Sequence, residues 1–347
     1  MDFGGGDEIR FERSGKAGIV TLTRPNALNA LTRRMVNALS AALAAWESDS
    51  GVEVVILKAE GRAFCAGGDI LEVYKARQAG KRLTEFFADE YRLNAQIDRF
   101  AKPYVSLIDG ICMGGGVGIS AHGSHRVMTE NAVFAMPEVG IGFFPDVGGS
   151  YVLPNLGGCF GMYLGLTGNK IGYGDALWSG IATHTVQAAY LPTLVEEIAD
   201  SGDPGTELRE FFKAAPRKTD EAALHAIARH FSLGSLQDIV VSLERAAAAD
   251  SFAAATLATM RGRSPTSLHV TFRAITAGST MSMDECMKME FRILNRMLES
   301  HDLYEGIRAA LIDKGTVPNW QPARLEDVRP EAIDAFFAPL PGGDLKL

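Results

Sequence analysis

Along the first half of the chain, strand-like apolar runs alternate with apolar residues at helical spacing. Residues 8–13 and 17–23 predict two strands joined by Ser14-Gly15-Lys16. Residues 32–48 predict a helix, with Thr32 as N-cap and Met35, Val36, Leu39, Leu43 and Trp46 along one face. Val52-Glu53-Val54-Val55-Ile56-Leu57-Lys58 is a nearly continuous apolar run, the pattern of a strand buried on both faces. A loop at 59–69 precedes helices near 70–78 and 83–100. A strand at 104–109, a glycine loop at 110–116, a short helix to about 122 and a strand at 125–129 follow. This β–α alternation predicts an α/β sheet fold.

Beyond about residue 186 the strand signals fade. Segments 190–201, 218–232, 235–249, 251–261, 283–299 and 302–313 carry Ala, Leu, Glu and Arg at helical spacing. The expected organisation is an α/β core over 8–185 and a mainly helical region over 186–347, whose tail past 320 reads as irregular and Pro-rich. Ser201-Gly202-Asp203-Pro204-Gly205 reads as a linker-like break.

Composition narrows the classes. With 347 residues, 47% hydrophobic and 22% charged, the chain has a globular composition and enough length for a full core. A net charge of -8 and the lack of any long Lys/Arg run argue against nucleic acid as the main partner. Cys65, Cys112, Cys159 and Cys286 are dispersed, which fits neither zinc spacing nor a disulfide framework and suggests reduced thiols. The first residues show no basic segment followed by an apolar one, and no apolar stretch has the length of a membrane span. A cytoplasmic location is the expectation.

The candidate chemistry lies between residues 134 and 149. Glu138 and Asp146 stand among apolar residues, prolines and glycines: Met136-Pro137-Glu138-Val139-Gly140-Ile141-Gly142-Phe143-Phe144-Pro145-Asp146. A carboxyl in such a setting loses solvation, which raises its pKa and suits it to general acid–base work. Either acid alone could equally cap a helix or pair with a buried Arg. Two glycine-rich loops, Gly61–Asp69 and Cys112–Gly118, each follow a predicted strand and open a helix. Their backbone N–H groups could form an anion site for an oxygen developing negative charge, or the glycines could serve only the turns. Gly116-Val117-Gly118-Ile119-Ser120-Ala121 also fits a dinucleotide fingerprint. Its mid-sheet position, and Glu130 coming too early for a ribose-binding acid, argue against that. Cys65 has no activating neighbour in sequence and reads as a small buried thiol. The seven histidines form no metal spacing, so no metal or redox cofactor is expected.

Taken together, Ala63-Phe64-Cys65-Ala66-Gly67-Gly68-Asp69, Met113-Gly114-Gly115-Gly116 and Met136-Pro137-Glu138 resemble the enoyl-CoA hydratase/isomerase, or crotonase, superfamily in motif, order and separation. The resemblance implies a spiral of ββα units followed by helices. It also implies a thioester oxyanion hole with donors at Gly68 and Gly115. Within the superfamily, Met136–Gly149, Gly180–His184, Lys102–Val105, Gly110–Gly118 and Glu305–Ala309 are similar to the 3-hydroxyisobutyryl-CoA hydrolase branch over about residues 8–320. That similarity implies hydrolysis of a short 3-hydroxyacyl-CoA thioester, with coenzyme A as part of the substrate. Glu90, Gly115, Glu138 and Asp146 become substrate-binding positions. Arg24, in Arg24–Leu31, and Ala66 are further ones near the CoA. Hydratases of the superfamily use a second glutamate just after the triple glycine, and that place here is Gly118. The acyl-CoA is the expected small-molecule partner, and a homo-oligomer is the expected assembly.

Overall fold

The computed structural model describes all 347 residues, in two compact units that interleave along the chain. The first comprises Met1–Asp69, Asp89–Ala135 and Lys170–Lys218; the second comprises Ile70–Ala88, Met136–Asn169 and Thr219–Leu347. The division expected at 185/186 is not where these units part, because Lys170–Lys218 stays with the sheets.

The first unit holds all ten strands: β1 (Ile9–Ser14), β2 (Ala17–Leu22), β3 (Val54–Ala59), β4 (Ala63–Cys65), β5 (Tyr104–Ile108), β6 (Ile111–Met113), β7 (His125–Met128), β8 (Val133–Ala135), β9 (Ile171–Gly172) and β10 (His184–Thr185). They form a six-stranded sheet in the order β1-β2-β3-β5-β7-β10 and a four-stranded sheet in the order β4-β6-β8-β9. From β3 to β8 consecutive strands alternate between the sheets, so β3/β4, β5/β6 and β7/β8 are successive turns of a spiral. Parallel pairing links β2, β3, β5, β7 and β10 in one sheet and β4, β6 and β8 in the other. This is the ββα spiral that the resemblance implies.

The apolar run of β3 is buried on both faces, as its composition predicts. Val54 and Ile56 point to one side, with Ala17, Ile19, Val105, Leu107 and Val127, beneath Leu194, Ile198 and Leu208 of helices Leu191–Ser201 and Pro204–Glu210. On the other side, a Cβ at Gly18 would lie 2.7 Å from the Trp46 ring, so only glycine lets helix Arg33–Ser48 come this close. Thr32 caps that helix as expected, its hydroxyl accepting from the Met35 N–H. Ser201–Gly205 proves not to be a linker. Gly202 ends one helix at positive φ, Asp203 caps the next, and both helices pack on the sheet.

The second unit is helical, and includes two helices that the apolar spacing did not reveal, Pro265–Gly278 and Pro330–Phe337. The Pro-rich tail is therefore only partly irregular. No helix is long and apolar enough to cross a membrane.

One buried amide ties the start of the first unit together. Asn29 is fully buried at a φ of 54°. Its Oδ1 accepts from the Arg24 N–H at 2.8 Å, and its Nδ2 donates to the carbonyls of Glu60 (2.9 Å) and Ala63 (2.8 Å). Leaving a buried polar group unpaired costs about 1–3 kcal/mol. Asn29→Ala strands one donor and two acceptors, and should lower the unfolding free energy by about 3 kcal/mol or more. Denaturant titration checks this, and a loss below about 1 kcal/mol would contradict the assignment.

Candidate active site

The first unit assembles the glycine loops. The β4 loop is laced to Arg24–Leu31: the Ala66 N–H donates to Leu28 O (3.0 Å), Leu31 N–H to Gly67 O (2.8 Å) and Asp69 N–H to Leu31 O (3.1 Å). The Gly68 and Gly115 N–H groups remain outside this lacing. Gly115 opens the four-residue helix Gly115–Gly118 directly after β6, so its N–H points out of the helix start. A Cβ placed on Gly115 would lie 3.2 Å from Gly68 N and 2.5 Å from Glu90 Oε1. Glycine here keeps open a space that both loops and the Glu90 carboxyl border. Glu90 is itself 2% exposed on helix Thr84–Asp98.

Arg24 and Ala66 have structural partners in the same unit. The Arg24 guanidinium reaches Asp69 at 3.4 Å and Glu8 at 3.7 Å, and donates to the Ala30 carbonyl. Ala66 spends its N–H on Leu28. Cys65 and Cys112 are register partners on β4 and β6; burial pushes both thiols up, Cys112 to about 12. That is the chemistry of inert core thiols. The dinucleotide-like glycines form the short helix after β6, and Glu130 accepts from the Ala188 N–H.

The second unit holds the acids. Chain direction alone delivers Glu138, because β8 ends at Ala135 and Met136-Pro137 lead straight into the tight turn Glu138–Ile141. Pro137 starts that turn and Gly142 ends it at a φ of 70°. Its backbone is closed by Gly140 N–H to Pro137 O (2.9 Å) and Phe143 N–H to Glu138 O (3.0 Å). Glu138 is 6% exposed and its Oε2 has no hydrogen-bond partner. Burial, then the neighbouring Asp146, then Glu290 hold its carboxyl well above the usual carboxylate range. Asp146 is 4% exposed on the turn that follows.

Glu290 did not emerge from the sequence. It lies on helix Met283–Met297, fully buried, and accepts from the Gly148 and Ser150 N–H groups just past Asp146. Burial pushes its carboxyl up to about 8 against the pull of Ser150 and Gly148, with Asp146 adding to the rise. Three buried carboxyls thus act on one another. Chemically, a desolvated carboxyl with a free oxygen can take a proton from water or attack an electrophilic carbon.

The comparisons agree with this architecture. A sequence model described as enoyl-CoA hydratase/isomerase matches residues 17–337. The chain belongs to the enoyl-CoA hydratase/isomerase family. A mitochondrial 3-hydroxyisobutyryl-CoA hydrolase of Danio rerio is 44% identical, covering 99% of this chain and 92% of the relative. The Homo sapiens protein of the same name is 40% identical over 98% and 91%. Among solved structures, a carnitinyl-CoA dehydratase from Mycobacterium thermoresistibile superposes with a TM-score of 0.92 at 37% identity, covering 97% of this chain and 98% of that one. An enoyl-CoA hydratase from Rhodobacter sphaeroides 2.4.1 gives 0.90 at 39%, covering 98% and 100%. The fold is that of the crotonase family.

The raised carboxyls make stability depend on pH in a defined direction. Between the ordinary value of 4.5 and their native values, the folded state holds protons that the unfolded chain has released. Folding stability from these groups is therefore highest below pH 4.5 and falls as pH rises, for Glu290 up to about 8. Glu138→Gln removes one of these protons and should flatten the fall of the melting temperature over this window. Thermal melts of both proteins across the window check it; parallel slopes would place Glu138 in an ordinary environment.

Proposed function

We propose that this chain hydrolyses a short 3-hydroxyacyl-CoA thioester, 3-hydroxyisobutyryl-CoA, to 3-hydroxyisobutyrate and free CoA. The observation that carries this reading is the agreement of eight relatives, 40–44% identical over nearly the whole chain, each named a 3-hydroxyisobutyryl-CoA hydrolase. The site chemistry supports it. Water adds its oxygen to the acyl carbon, the C–S bond breaks, and the thiolate takes up a proton to leave as CoA.

In this proposal the Gly68 and Gly115 N–H groups donate to the thioester oxygen as charge develops on it. Glu138 activates the water or attacks the acyl carbon itself. Asp146 orients the acyl group or shares the proton with Glu138, Glu90 hydrogen-bonds the substrate hydroxyl, and Arg24 and Ala66 stand toward the CoA. The reaction consumes water and needs no metal or redox cofactor. The substrate would place the enzyme in valine catabolism. We further propose a homo-oligomer and, from the dispersed thiols, a cytoplasmic location, although the named relatives are mitochondrial.

A second reading, hydration of an enoyl-CoA, is favoured by the names of the two solved structures at 37–39% identity. It needs a second acid where this chain has the buried Gly118. A glycine transfers no proton. A non-catalytic acyl-CoA-binding role would give no reason to keep two acids out of water at Glu138 and Asp146.

Thiol release and enoyl absorbance separate these readings. Crotonyl-CoA should gain water far more slowly than 3-hydroxyisobutyryl-CoA releases thiol; rapid loss of enoyl absorbance without thiol would overturn the hydrolase reading. Glu138→Gln should cut turnover by on the order of 10²–10⁴ while KM changes little, and near-normal thiol release would remove Glu138 from the mechanism.

The hydroxyl group gives an independent check. A site built to hydrogen-bond a hydroxyl rejects the analogue lacking it, since its buried polar groups are left unpaired. Isobutyryl-CoA should therefore be hydrolysed much more slowly than its 3-hydroxy counterpart, with Glu90→Ala narrowing the gap. Equal kcat/KM for the two thioesters in the wild type would reject the substrate assignment and leave thioester hydrolysis standing.

A further inference from the structure

The turn that carries Asp146 is strained. Val147 is β-branched, yet its φ is 51°, in the left-handed region where such side chains crowd the backbone. A residue held there costs about 1–3 kcal/mol and persists only where its surroundings over-determine it. The restraint comes from the far end of the chain. Glu290 Oε2 accepts from the Gly148 N–H at 2.9 Å; Oε1 accepts from the Ser150 N–H at 3.0 Å and the Ser150 hydroxyl at 2.5 Å. The two residues straddling this contact are more than 140 positions apart.

Glu290 is fully buried, and the groups acting on its charge are Ser150, Gly148 and Asp146, none of them a cation. On its own helix, Cys286 lies one turn back, beside Ser150, and Arg292 is paired with Asp344. From the helices packed against it, Arg273 and Asp334 are paired with each other near the surface. Buried acids are ordinarily paired with a base. Here the carboxyl's hydrogen bonds go to a single turn, the one beginning at the acid beside Glu138.

We propose that Glu290 is a positioning residue of the reaction: it locks the strained Asp146–Ser150 turn so that the Asp146 carboxyl stays beside that of Glu138. It touches no substrate. The inference rests on the hydrolase reading for its catalytic consequence, and on the local geometry alone for its structural one.

Glu290→Gln, compared with wild type at a pH above the Glu290 titration at about 8, where both carboxylate oxygens accept, tests both. The amide would present N–H donors where the turn presents donors of its own, so at least one hydrogen bond is lost. Freed, Val147 should relax and carry Asp146 away from its place. Misplacing a catalytic group by about 1 Å can cost on the order of 10²-fold, so kcat for thiol release should fall at least about tenfold with KM within about twofold. Amide exchange at Gly148 and Ser150 should speed up at least about tenfold while core amides of β3 keep their protection. Adding Val147→Gly, which removes the left-handed penalty, should restore kcat by about threefold or more.

A folded Glu290→Gln protein with kcat within about twofold of wild type, or with unchanged exchange at the turn, overturns the proposal. So does exchange that accelerates equally throughout the core, which marks a general stability role. Should that variant fail to fold, Ser150→Ala removes one hydrogen bond and keeps the carboxyl. It should show the same kcat-against-KM split at about threefold, and an unchanged kcat overturns the proposal. If wild type releases no thiol from any acyl-CoA, the hydrolase reading falls, and the exchange measurement alone decides whether Glu290 holds the turn.

Discussion

The cost of keeping a carboxyl out of water organises the segment around Glu138. Glu138 has an unpartnered oxygen, little exposure and a second acid beside it. Each of these opposes ionisation, and together they hold the group well above the ordinary carboxylate range. A residue in that state is tolerated only if its backbone cannot move to expose it. The proline before it, the glycine that ends its turn and the hydrogen bonds across 137–143 supply that rigidity.

The spiral explains why the two glycine loops recur at equivalent places in successive turns. β4 and β6 are parallel neighbours in the four-stranded sheet, and each runs into a glycine loop, Ala66–Asp69 and Gly114–Gly118. Segments at the carboxyl ends of parallel strands emerge in the same direction, so the order of the two loops is a consequence of strand order. It also explains why Gly118 matters more than its size suggests. The helix Gly115–Gly118 is where the hydratase branch carries its second acid, and this chain has hydrogen there instead of a carboxyl.

Names of relatives pull in two directions, toward hydrolases at 40–44% identity and toward a hydratase and a dehydratase at 37–39%. The overall fold cannot arbitrate, since all share it. Proton bookkeeping can: addition of water to a double bond needs a donor and an acceptor at adjacent carbons, whereas thioester hydrolysis can proceed with one activated acid cluster and an electrophilic carbonyl.

Local chemistry was enough to read much of this protein from its residues. Helix Arg33–Ser48 and its Thr32 cap, the buried strand β3, the two glycine loops and the desolvated pair Glu138 and Asp146 are all properties of short stretches, where spacing and residue type carry the signal. The three-residue strands β4, β6 and β8 were not legible, because three residues hold no period; only pairing with neighbours from distant segments makes them strands. Helix Pro204–Glu210 hid inside an apparent linker, since Gly-Asp-Pro-Gly serves a tight turn between packed helices as readily as a free one. Glu290 looked like any acid on an amphipathic helix, and nothing in its own segment points to a turn more than 140 positions earlier. The residues alone decided which groups could do chemistry. Tertiary structure decided which of them lose their water and which acid holds another in place, because solvation and hydrogen bonding depend on neighbours that are remote in sequence.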